Sequence, residues 1–181
     1  MYNRVKTFFA PFILTALIVV LDQVTKAFIV RNWPRQGTII KDVFDNDFLI
    51  IYHVRNTAIA FSIGDGLPQP WRFILFVIVP ILVLVFLTWY YFSTTEFNQP
   101  QRWAIAGIIG GGIGNISDRI LRPDGVVDFI SVKFYGIFGM ERWPTFNVAD
   151  ASVVICCMIL LVTMLMPQSK KSGRKWNHYN E

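Results

Sequence analysis

Histidine and cysteine occur only twice each in these 181 residues, and charged residues make up only 16% of the chain. His53 stands in a short stretch rich in aromatic and branched residues and His178 in a basic C-terminal tail, so neither a histidine-dependent serine triad nor a His-Glu-x-x-His zinc centre can be assembled. No metal site and no organic cofactor is expected. Cys156 and Cys157 are adjacent within an apolar run, a placement that offers no disulfide framework and no base for a cysteine nucleophile, and they read as packing residues. Low charge together with 54% hydrophobic residues excludes an ordinary water-soluble domain. The net charge of +5 does not indicate a nucleic-acid partner, because the cations form no stripe interleaved with aromatics.

The hydrophobic residues are gathered into four runs, with most charge between them or in the tails. A helix crossing a hydrocarbon core about 30 Å thick needs roughly 20 mostly apolar residues, and the candidate spans are 8–30, 73–92, 103–121 and 148–166. The first carries Asp22 and Lys26; no small-residue cleavage site follows it, so it reads as a span and not as a secretion signal. The second is uncharged and contains Pro80, which implies a kink. Trp71, Trp89, Tyr90, Tyr91, Trp103 and Trp143 fall near span ends, as belt aromatics do. Arg4, Lys6, Lys170, Lys171, Arg174 and Lys175 stand in the tails against the acid Glu181, which places both termini in the cytoplasm by the positive-inside rule. The long connections 31–72 and 122–147 then face outward, 93–102 faces inward, and the basic tail 167–181 is suited to anionic lipid head groups. Within the outer connections, 48–54 and 131–135 look like strands of a small surface sheet. The chain reads as one membrane domain, 1–181.

An ionisable group inside a bilayer costs about 2.5–3.5 kcal/mol at helix centre, so each needs a partner or a task. Asp22 and Lys26 are spaced i, i+4 and can pair on one face of the first helix. Gly107 with Gly111 and Gly110 with Gly114 form two overlapping small-xxx-small pairs on the third. This glycine run lacks the Gly-Lys-Ser/Thr ending of a phosphate loop. Asn115, Asp118 and Arg119 follow at i, i+3, i+4 and should project together from the helix end as a polar clamp or ligand contact. Asn147 can cap the fourth helix, with Asp150 at N3 of a capping box. A cap alone would explain Asp150, but not Asp128, which stands between Val126-Val127 and Phe129-Ile130 with no structural use in view. If the third and fourth helices meet through glycine, Asp128 and Asp150 reach the same depth. Two carboxylates in one site cannot both ionise cheaply, which yields an acid and a base side by side for water attack on an amide. The helix dipole favours the charged form of Asp150 and the apolar surroundings favour the protonated form of Asp128, though jointly titrating groups can exchange roles.

The segments Asp22-Gln23-Val24-Thr25-Lys26, Gly114-Asn115-Ile116-Ser117-Asp118-Arg119, Val126-Val127-Asp128-Phe129 and Phe146-Asn147-Val148-Ala149-Asp150, in that order, resemble the lipoprotein signal peptidase (signal peptidase II) family over nearly the whole length between the tails. The resemblance implies a mainly α-helical membrane protein of four transmembrane helices, with a small β-sheet cradle and a short helix on the outer face. It implies a multi-pass aspartic endopeptidase of the bacterial inner membrane that removes signal peptides from diacylglyceryl-modified prolipoproteins, N-terminal to the lipidated cysteine, and that is inhibited by globomycin. Asp128 and Asp150 match the catalytic dyad, and Asp22, Lys26, Asn56, Asn115, Arg119 and Asn147 match residues that line or brace the site. Asn56-Thr57-Ala58-Ile59-Ala60-Phe61 matches the mobile outer cover with one departure: Ala58 stands where the family usually has Gly, so local geometry should differ.

Two other classes compete with this reading. A small proton or cation transporter would carry its acids near the bilayer midplane and often shows repeats, whereas Asp128 and Asp150 lie toward the outer edge and no repeat is found. A scaffold protein would leave Asp128 unexplained. Membrane lipids and prolipoprotein substrates are the expected partners, and the expected state is a monomer.

Overall fold

Each of the four apolar runs is helical in the computed structural model, which describes residues 7–57, 67–122 and 124–166. Ala58 to Phe61 of the expected cover, Arg4 and Lys6, and the basic tail lie outside the described residues. In chain order the elements are α1 (Phe12–Asn32), β1 (Ile39–Asp42), β2 (Leu49–Asn56), α2 (Gln69–Ser93), α3 (Gln99–Leu121), β3 (Val126–Val132) and α4 (Val148–Leu165). Three helices are long and apolar enough to cross a membrane: Thr7–Asn32, which contains α1, together with α2 and α4. Their outward faces carry exposed Leu17, Val20, Val24, Leu82, Val85, Phe86, Ile155, Met158 and Leu161, a surface dressed for lipid. α3 differs in composition because it sits among the others, packed against α1, α2 and α4. A helix sheltered by protein can be built of glycine and polar residues.

The helix ends follow local chemistry. α3 begins four residues before the expected 103, since Asn98 Oδ1 accepts a hydrogen bond from the Gln101 N–H and Gln101 Oε1 accepts one from the Asn98 N–H, closing a capping box. The kink expected at Pro80 takes the form of a π-helical turn, Ile74–Ile78, just ahead of the proline. The two glycine pairs serve different neighbours. Gly107 and Gly111 face α4, where a Cβ on Gly111 would lie 2.5 Å from the Ala149 carbonyl oxygen. Gly110 and Gly114 face α1, at Thr15 and Asp22. Thr15 Oγ1 also donates to the Ala106 carbonyl at 2.6 Å, fastening α1 to α3 where the backbones come close.

The sheet is antiparallel in the order β1-β2-β3. β2 covers the expected 48–54 with small shifts, but the second expected strand is corrected: β3 starts at Val126, not at 131, and Asp128 lies inside it. Burial of Val127 and Phe129 against Ile29 of α1 recruits the earlier residues. The chain at 133–143 instead folds back as a hairpin, turned by positive φ at Tyr135, Gly136, Phe138 and Gly139. The short helix expected outside the bundle corresponds, among the described residues, to the 3-10 turn Ile137–Gly139. Phe146 then bonds to Phe129 and Ile130 of β3, which sets Asn147 beside Asp128 as α4 begins.

Candidate active site

A cleft of about 710 Å³ opens between α2, α3, α4 and the sheet, lined by Asn56, Asn115, Arg119, Asp128 and Asp150, with Phe76 on its apolar wall. Asp128 is buried, 2% exposed. Its register partner in β2 is Val54, which brings Asn56 close enough for the Asn56 Nδ2 to donate to Asp128 Oδ2 at 3.0 Å. Asp128 Oδ1 accepts from Asn147 Nδ2 at 2.7 Å. Asn147 also caps α4: its Oδ1 accepts from the Asp150 N–H at 2.9 Å, while Asp150 Oδ2 accepts from the Asn147 N–H at 3.2 Å. One asparagine thus holds both carboxylates. Asp150 Oδ1 accepts from Asn115 Nδ2 at 2.6 Å, and Asn115 Oδ1 in turn receives Asn147 Nδ2 at 3.1 Å and Lys26 Nζ at 3.0 Å.

Behind this layer lies a fully buried ionic core. Lys26 Nζ is 2.8 Å from Asp22 and 3.2 Å from Asp118. Asp22 Oδ1 accepts from the Ala149 N–H at 3.0 Å, so this carboxylate sits on the first turn of α4, where the helix dipole favours negative charge. Asp118 accepts from Gln23 Nε2 at 3.1 Å and from the Val127 N–H at 3.0 Å, and pairs with Arg122. The core therefore ties α1, α3, α4 and β3 together at the level of the cleft. Removing one member would strand the others in a low-dielectric interior.

Burial first, then the negative charge of Asp150, pushes the Asp128 carboxyl from its ordinary 3.8 up to about 6, against the opposing hydrogen bonds of Asn56 and Asn147 and the charge of Lys26. The eight residues singled out in the sequence share this region. Of Asn115, Asp118 and Arg119, expected to project together as a polar clamp or ligand contact, Asn115 and Arg119 line the cleft and Asp118 does not join them. Asn115 donates to Asp150, Asp118 turns back to the buried lysine, and the Arg119 guanidinium lies 5.2 Å from the centre of the Phe76 ring. Gln23 and Arg122 belong to the core but were not singled out. Gln23, a polar residue beside Asp22 in an apolar run, was the available signal; Arg122 read only as the start of a loop.

The family model described as signal peptidase (SPase) II matches residues 14–166. The lipoprotein signal peptidase of Treponema denticola is 47% identical over 172 residues, covering 95% of this chain and 97% of that protein. The lipoprotein signal peptidase of Borreliella burgdorferi is 43% identical over 162 residues, covering 90% and 93% respectively. Among solved structures, a bacterial membrane enzyme determined in meso at 2.3 Å superposes with a TM-score of 0.72 at 27% identity, over 95% of this chain and 94% of that one. A second, at 1.9 Å, gives 0.70 at 28% identity, over 86% and 92%. A match spanning all four helices and the sheet, with relatives of nearly equal length, leaves one assignment: the chain belongs to the signal peptidase II family.

Proposed function

We propose that this protein is an aspartic endopeptidase that removes signal peptides from diacylglyceryl-modified prolipoproteins, cutting N-terminal to the lipidated cysteine, with Asp128 and Asp150 as the catalytic dyad. The observation that carries the proposal is the pair of carboxylates in one cleft, both held by Asn147. On this reading the pair shares one proton, held by Asp128, whose carboxyl is pushed up to about 6 by burial and the charge of Asp150. Asp150 takes a proton from water as the water attacks the scissile carbonyl carbon, and Asp128 donates a hydrogen bond to the carbonyl oxygen. A carboxylic acid then protonates the departing amine. Each such transfer is worth roughly 10²–10⁴-fold in rate, and no covalent intermediate is required.

Asn56, Asn115 and Asn147 hold the carboxyl groups in register, while Asp22 and Lys26 brace the start of α4 and Arg119 lines the cleft. On this reading α1 to α4 all cross the bacterial inner membrane, both termini are cytoplasmic, and the cleft opens toward the outer leaflet, where a diacylglyceryl group resides. The enzyme works as a monomer, without metal or cofactor, among membrane lipids, and globomycin blocks it.

The test uses wild type, Asp128→Asn and Asp150→Asn purified in detergent, with a diacylglyceryl-modified prolipoprotein followed on a gel and globomycin as control. Wild type should cleave, and each variant that still melts cooperatively should lose at least about 10³-fold in rate. An inactive wild type, or cleavage that survives in both variants, overturns the dyad and makes proton or cation flux the next assay.

A further inference from the structure

At the start of α2 a cation stands among apolar residues. Trp71 and Phe73 are exposed, while Arg72 between them is half-buried. Pro68 occupies the N-cap and Pro70 the first turn, and the Trp71 and Arg72 N–H groups bond to the Pro68 carbonyl at 3.0 and 3.2 Å. The direction in which Arg72 leaves the helix is therefore set locally. Its guanidinium Nη2 donates to the Thr57 carbonyl at 2.7 Å, fifteen positions back in the chain. A charged donor makes one of the stronger hydrogen bonds, and a cation at the edge of a span needs a partner or a task.

The acceptor stands at a critical place. β2 ends at Asn56, whose pairing with Val126 is the last rung of the ladder to β3, and Thr57 lies one residue beyond. Terminal rungs open most readily, yet this one carries the side chain that donates to Asp128 at 3.0 Å. Two neighbours hold the strand end. The turn after α3 presses on it, since Gly125 has φ +101° and a Cβ there would lie 2.6 Å from the Asn56 carbonyl oxygen and 3.1 Å from the Thr57 nitrogen. Arg72 fastens it to α2, whose Phe76, four residues on, forms part of the apolar wall of the cleft. Arg72 is not among the residues that line the cleft, so it can act on the chemistry only through the strand it holds.

We propose that Arg72 is a positioning residue for the carboxylate pair: by tying the Thr57 carbonyl to the start of α2, it keeps the Asn56 amide on Asp128. The proposal rests on the reading of Asp128 and Asp150 as the catalytic dyad. Without the tether the end of β2 frays, and Asp128 loses the hydrogen bond that fixes the plane of its carboxyl group. That bond also favours the charged form of Asp128 against the upward push of burial, so loosening it raises the pH at which Asp128 gives up its proton. The other groups that act on Asp128 are Asp150 and Asn147 from the start of α4, Lys26 from α1 and Arg119 from α3, and a change at residue 72 leaves all four in place.

The experiment compares full-length wild type, Arg72→Gln, Asn56→Ala and the double variant in detergent, with a diacylglyceryl-modified prolipoprotein as substrate. Arg72→Gln should lower kcat by about tenfold while KM changes by less than about twofold. The fall of kcat/KM with rising pH should begin about half a pH unit higher than in wild type. Because Arg72 acts through Asn56, the double variant should lie within about twofold of Asn56→Ala. Hydrogen–deuterium exchange of the substrate-free protein adds a readout that needs no cleavage: the amides of residues 54–57 should exchange at least about fivefold faster in Arg72→Gln. Exchange as slow as in wild type, an unchanged kcat, or single-variant losses that multiply in the double variant would each overturn the tether. A wild type that does not cleave would overturn the dyad reading instead, and the exchange comparison would still decide whether Arg72 holds the strand.

Discussion

The two ends of the helix bundle bury a cation in opposite ways. At the end that carries the sheet, Lys26 is neutralised by Asp22 and Asp118 and hydrogen-bonded to Asn115. At the other end Arg102, 2% exposed, has no carboxylate within ion-pair distance among the described residues. Its guanidinium lies 3.9 Å from the centre of the Phe8 ring and 5.1 Å from that of Tyr91, and donates to the Thr94 carbonyl at 3.0 Å. Aromatic faces and backbone carbonyls can solvate a cation that only anchors helix ends. Formal negative charge, with the field and the coupling between helices that it brings, is concentrated beside the cleft. The placement of acids therefore separates the chemical end of the bundle from the end that holds it together.

That contrast is broken most severely at Lys26. Lys26→Met should leave Asp22 buried without its cation, and Asp118 with Arg122 alone, and cost about 3–5 kcal/mol, read as a fall in melting temperature in detergent, with peptidase activity lost as the start of α4 shifts. Arg102→Met should cost less, about 1–3 kcal/mol, since it removes cation–π contacts and hydrogen bonds to carbonyls but strands no opposite charge. Activity per folded molecule should be kept. Equal loss of activity in the two variants would dissolve the distinction between the ends.

Gly111→Ala tests how the cleft end is held. Its Cβ would press on the Ala149 carbonyl, one residue before Asp150, at an expected cost of about 1–3 kcal/mol and with a slower reaction. The pH profile is the finest test. With Asp128 holding the shared proton, kcat/KM should fall by about tenfold per unit as pH rises beyond about 6. The sign for stability agrees: a carboxyl raised from 3.8 to about 6 by folding contributes stability fully below 3.8, and that contribution is lost as pH rises through about 6. Melting curves of Asp128→Asn should lack this part of the pH dependence.

Much of the site was legible because its signals are short-range. The i, i+4 spacing of Asp22 and Lys26, the four-residue glycine periods of α3 and the capping box of Asn147 and Asp150 follow from helix geometry, and each is present in the structure. The β3 boundary was misread because its strand character comes from burial of Val127 and Phe129 against α1, a contact between residues about a hundred positions apart. Arg102 was read as part of an inner connection, since nothing local announces that Phe8 and Tyr91 will enclose it.

Composition and periodicity alone determined that the chain lives in a bilayer, where its helices run, and that its unusual carboxylates are Asp22, Asp118, Asp128 and Asp150, because lipid solvent penalises charge residue by residue. Only the tertiary structure decided which of these acids became a neutralised strut and which faced the cleft. Local sequence sets the angle at which a side chain leaves its helix or strand. Whether it then meets a lysine, an asparagine or open space depends on how closely the glycine faces of α3 let α1 and α4 approach.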